Sequence, residues 1–99
     1  MTFKARMLDA LTLDAVKAKS LSQHLRLGEA RSHFNPEVSA MQRLAALGDG
    51  IGDSFKYGAM DRDASRLQDT LLALAATALI WAELLDQVSR TEEVTSNEF

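Results

Sequence analysis

From Thr70 to Ala82 the chain carries no charge: Thr-Leu-Leu-Ala-Leu-Ala-Ala-Thr-Ala-Leu-Ile-Trp-Ala. A bilayer span needs ~20 apolar residues. Asp69 and Glu83 close this run short of that, so the expectation is a buried helix and no membrane. Helical spacing extends the element from Asp61 or Asp63 to about Val88. Leu67, Leu71, Leu74, Ala78, Trp81, Leu85 and Val88 form one stripe. Leu72, Ala76 and Leu79 form a second, and Ile80 and Leu84 lie on a third side. A helix apolar nearly all round is enclosed on all sides. A chain of 99 residues offers too few helices to do this alone. The reading is a homodimer or a dimer of dimers, with Leu72, Ala76, Leu79, Trp81 and Glu83 at the interface. Glu83 is expected to pair with an Arg or Lys across it, because burying a lone charge is costly.

The remainder of the chain points the same way. One proline, five glycines and no period-2 alternation leave an all-α fold. The spacing predicts an antiparallel helical bundle completed by homo-oligomerisation. A single domain would span 1–90, followed by a polar, fraying tail over 91–99. Between Phe3 and Ser32, helical spacing in Phe3, Met7, Leu11 and in Ala18, Leu21, Leu25 fits either one bent helix or two short ones, with Thr12 as a cap between them. A second helix is expected to open at Asn35-Pro36, an N-cap followed by a proline suited to the first turn. Its apolar stripe is Val38, Met41, Leu44, Ala45, Gly48, Ile51, Gly52 and Phe55. The glycines within it cost ~1 kcal/mol each relative to Ala. They permit close helix packing, make room for a ligand, or mark a weak final turn. Gly58 is expected in the short turn to the third helix.

A net charge of −3 with scattered cations argues against nucleic acid. The absence of cysteine leaves no disulfide framework and fits a reducing, cytoplasmic setting. The N-terminus leads into a charged segment, not an apolar signal core.

Two blocks resemble a known family. The first is Phe34-Asn35-Pro36-Glu37-Val38 with Leu44-Ala45-Ala46-Leu47-Gly48-Asp49-Gly50-Ile51-Gly52-Asp53. The second runs from Leu67 to Asp86 and includes Trp81-Ala82-Glu83. Together they are similar to small phage-type members of the MazG-like, all-α nucleoside triphosphate pyrophosphohydrolases. The resemblance covers roughly half the chain. It implies Mg²⁺ held by carboxylates of two antiparallel helices, and hydrolysis of a nucleoside triphosphate to monophosphate and pyrophosphate.

Carried over by position, the family's three glutamates on the second helix become Asp49, Gly50 and Asp53. Its Glu and Asp on the third helix become Thr70 and Ala73, with Asp69 one position away. The resemblance therefore implies Asp49, Asp53 and Asp69 as metal ligands, and an incomplete set. Glu83-Leu84-Leu85-Asp86 also spells the family's Glu-x-x-Asp, but helical rise puts Glu83 ~24 Å from Asp53 within one chain. Two functions follow as expectations: a Mg²⁺-dependent hydrolase binding nucleotide, or a non-catalytic homo-oligomeric scaffold or partner-binding protein that lacks the ligands. His24 and His33 have no ligand-spaced neighbours and read as surface or capping residues.

Overall fold

The structure is a computed structural model that describes residues 10–97, with side chains from 12 to 90. Phe3 and Met7 lie outside the described residues. Three α-helices follow in order, and no strand occurs among the described residues. α1 spans Ala10–Leu27, α2 Ala40–Phe55 and α3 Ala64–Asn97, with a π-helical turn, Lys56–Met60, continuing α2.

α1 is one helix running through Thr12. Gly28 ends it: at φ +80° it takes the left-handed conformation, and its N–H donates to the His24 carbonyl. The signal was legible in Leu27-Gly28, before the boundary expected at Ser32.

α2 does not open at Asn35-Pro36. Asn35 Oδ1 accepts from the Glu37 N–H, an Asx turn, and the helix starts four residues later than expected, with Ser39 as N-cap. The Ser39 hydroxyl accepts from the Gln42 N–H while Gln42 Oε1 accepts from the Ser39 N–H. This reciprocal box satisfies two donors that a helix start leaves open. Arg43 explains why the helix cannot begin earlier. Arg43 is 2% exposed, and its guanidinium donates to the His33 and Asn35 carbonyls at 2.7 Å each, holding that backbone in a loop.

Gly58 is not in a loop turn but inside the π-helical turn, where a Cβ would come within 3.2 Å of Leu67. Asp63 then caps α3, its Oδ1 accepting from the Arg66 N–H. α3 continues to Asn97, past the end expected at Val88. By length and composition alone its Ala64–Arg90 portion is long and apolar enough to cross a membrane, and with 17% of that apolar stretch buried it is not the enclosed helix expected within one chain.

α1 and α2 both pack on α3, and among the described residues they do not pack on each other. α2 runs antiparallel to α3, with Gly50 against Leu74 and Gly58 against Leu67. α1 runs parallel to it, with Lys19 against Asp69 and Gln23 against Ala73. Where α2 and α3 meet, Gly50 is required: a Cβ there would lie 2.5 Å from Leu74 Cδ2. The slab is 21 Å thick, about two helix diameters.

Its core is small. Val16, Ala76 and Ile80 are the buried apolar residues among those described, joined by Gln23, Ser32, Arg43 and Thr77. The α3 face toward its neighbours is thus centred on Ala76, Thr77 and Ile80, not on the Leu71–Ala78–Leu85 line, whose members are exposed. Small residues on that face let α1 and α2 approach closely.

Candidate functional site

Because α1 and α2 flank α3 without touching, a groove is left between them, floored by α3. It forms a half-open cleft of about 510 Å³. α1 contributes Lys19, Gln23 and Arg26, α2 contributes Asp49, Gly50 and Asp53, and the π turn contributes Tyr57. α3 contributes Arg66, Asp69, Thr70, Leu74 and Thr77. The three aspartates singled out in the sequence therefore line one cleft.

They do not act as a set. Lys19 Nζ lies 2.8 Å from both oxygens of Asp69, so that carboxylate is already neutralised by an ammonium. Asp49 and Asp53 are exposed on α2. At Gly50, where the resemblance would place a carboxylate, Leu74 from the facing helix takes up the space. Thr70 Oγ1 donates to the Arg66 carbonyl of its own helix. Among the described residues no group of three or more acidic, histidine or cysteine side chains converges on a point. A hard dication wants several oxygen ligands at ~2 Å. The donor set present does not fit Mg²⁺.

The cleft's other polar groups are structural or unspent. Gln23, 7% exposed, donates weakly from Nε2 to the Ala73 carbonyl at 3.4 Å, while its Oε1 is buried without a protein partner. Arg66 sits over the Tyr57 ring at 5.6 Å and beside Asp63 at 3.5 Å.

The Glu-x-x-Asp segment lies outside this cleft. The Gly50–Leu74 and Gly58–Leu67 pairing sets Asp53 opposite residue 71, about 12 residues short of Glu83, or ~18 Å along the helix. Asp86 pairs with Arg90 at 3.0 Å. Glu83 is exposed and makes no ion pair among the described residues.

Of the expected interface residues, Ala76 is 1% exposed and sits inside the chain, not on an outer face. Leu72 is half-buried and Leu79 is exposed. Trp81 is half-buried and lines a second groove of about 410 Å³ with Pro36, Val38, Arg43, Leu84, Leu85 and Val88. His24 Nδ1 bonds the buried Ser32 hydroxyl at 2.6 Å, and its ring meets Phe34 edge-on. Burial, then the charges of Arg43 and Arg26, hold the His33 imidazole below its ordinary pKa.

The feature least expected from the sequence is the direction of the α2 stripe. Met41 (77% exposed), Leu44, Ile51 and Phe55 point away from α3. The face turned inward carries Arg43, Leu47, Gly50 and Ser54. Periodicity located the stripe but could not say which side of α2 the chain itself covers.

No protein-family model, no curated protein and no solved structure matches the chain.

Proposed function

We propose that this chain is a non-catalytic, self-associating helical module of the cytoplasm, whose work is to form a homo-oligomeric scaffold. The observation that carries the reading is the imbalance between core and surface. Three apolar side chains are buried among the described residues, while Met41, Leu44, Ile51, Phe55, Leu85 and Val88 each stay more than half exposed. Ordering a residue costs roughly 1–2 kcal/mol of backbone entropy. Burial of apolar surface at ~25 cal/mol/Å² is the main offset. So small a core offsets little of that cost, and association supplies the missing burial. Exposed apolar surface of this extent marks an interaction face.

The hydrolase reading has one observation in its favour: Asp49, Asp53 and Asp69 share a cleft large enough for a small ligand. Against it stand the Lys19–Asp69 pair and the Leu74 side chain at Gly50.

Sedimentation equilibrium across micromolar concentrations tests the first reading. The expected mass is a multiple of 10.9 kDa, and a clean monomer overturns it. Pyrophosphate release from a panel of nucleoside triphosphates with Mg²⁺ or Mn²⁺ tests the second. Turnover lost on Asp53→Asn would restore the enzyme, whereas no turnover supports the scaffold.

A further inference from the structure

The outward face of α2 is a closed set of seven apolar positions: Met41, Leu44, Ala45, Gly48, Ile51, Gly52 and Phe55. No charged residue interrupts it. Its spacing has a symmetry. Reflection about Gly48 exchanges Met41 with Phe55, Leu44 with Gly52 and Ala45 with Ile51, and returns Gly48 to itself. Every large residue in the middle of the stripe thereby meets a small one. Gly48 and Gly52 have open space beyond their Cα atoms, with nothing of the same chain within 4 Å of a built Cβ. Unlike Gly50 and Gly58, they serve no packing inside the protomer.

Resting on the self-association proposed above, we infer that α2 is the dimer seam: two copies pair α2 against α2 antiparallel, on a two-fold axis at Gly48. A two-fold interface joins one patch to itself, so the patch must be self-complementary. Here Leu44 seats over Gly52 of the second copy and Ile51 over Ala45, with the two Gly48 backbones in close approach. Interaxial distances of 8–10 Å are ordinary, the lower end going with small contact residues. Parallel pairing lacks this fit. It sets Leu44 on Leu44 and Ile51 on Ile51, and leaves a void between the two Gly48 positions. Antiparallel pairing also opposes the two helix dipoles favourably.

Area supports a second copy as the occupant. Met41, Leu44, Ile51 and Phe55 leave on the order of 500 Å² exposed on one protomer. Pairing them across the axis removes at most on the order of 1,000 Å² from water, just below the range of specific interfaces before their neighbours are added.

The native chain contains no cysteine, so single introduced cysteines report the register without background. A disulfide needs Cα atoms roughly 4.4–6.8 Å apart. Gly48→Cys should oxidise to a covalent dimer. Met41→Cys should not cross-link to itself, but should do so when mixed with Phe55→Cys. Self-cross-linking by Met41→Cys means parallel pairing and overturns the inference. A link only between Gly48→Cys and Ile51→Cys moves the axis off Gly48 and overturns it too. Ile51→Glu places a charge against Ala45 of the second copy and should raise the dissociation constant at least about tenfold. An oligomer that is indifferent to Ile51→Glu and silent in all these cross-links refutes the seam while leaving self-association standing. A monomeric native chain refutes both.

Discussion

The two faces of α2 reverse the usual arrangement of an amphipathic helix. The inner face holds a buried arginine, a half-buried leucine, a glycine and a serine, and the outer face holds methionine, leucine, isoleucine and phenylalanine. The inner face makes specific contacts, and the outer face is the one proposed to associate. Arg43 reaches two named carbonyls, and Gly50 admits one named leucine. The outer stripe has no polar group to satisfy and asks only for a matching shape. With the proposed seam on the outer face, fold and assembly are separable on one helix, and substitutions on the two sides should act on different quantities.

The largest effect is expected on the inner side. Arg43→Met should lower stability by about 3 kcal/mol, because charged hydrogen bonds to the 33–35 loop are lost and the His33 carbonyl is stranded. Urea unfolding at fixed protein concentration reads it. A loss under about 1 kcal/mol would mean that the loop is held by something else. Gly50→Leu comes next, at about 1–3 kcal/mol, since Leu74 must vacate its place.

The outer side should respond with opposite signs. Gly52→Ala replaces a residue with no neighbour inside the chain, so helix propensity stabilises the protomer by up to about 1 kcal/mol. The same methyl would fill the seat proposed for Leu44 of the second copy and should loosen the proposed dimer. Denaturation at low concentration and dissociation by sedimentation measure the two terms. If both move together, the two faces are not separable.

Smaller effects belong to the cleft. Asp69→Asn removes the Lys19 pair, whose carboxylate is 65% exposed, and should cost less than about 1 kcal/mol. The smallest is the pH response of His33. Its folded pKa lies below the unfolded value of 6.5, so the unfolded chain takes up the proton first. The His33 contribution to stability should be constant well above pH 6.5, fall as pH drops through it, and level off below the folded pKa. His33→Gln should flatten that slope.

The fold class was legible because helix periodicity and helix-forming composition depend on local chemistry. The start of α3, expected at Asp61 or Asp63, was legible for the same reason, and the cap is Asp63. The start of α2 was misplaced because Asn35-Pro36 and Ser39-x-x-Gln42 are both valid openings locally. What decides between them is Arg43, which occupies the carbonyls around Asn35 from eight residues away. The cleft aspartates were located through a resemblance, and they do share a cleft. Their pairing state was not readable, since Lys19 lies 50 positions from Asp69. Nor did the stripe on α2 reveal its direction, which depends on where Leu74 finds a gap.

Among the helices α1 packs on α3, its other contacts being those of His24 with Ser32 and Phe34 in the loop that follows it, so the molecule should assemble in a fixed order. The α2–α3 hairpin closes over about nine residues, from Gly58 to Leu67, whereas α1 reaches α3 only across the 50 residues between Lys19 and Asp69. Loop-closure entropy makes the longer closure about 1.5 kcal/mol more costly. The hairpin thus forms first, and α1 is the last arrival and the first to leave. In native-state hydrogen exchange, the amides of α1 should open as a unit before those of α2 and α3. Each such opening removes one wall of the cleft, so the lifetime of anything held there is capped by how long α1 stays docked.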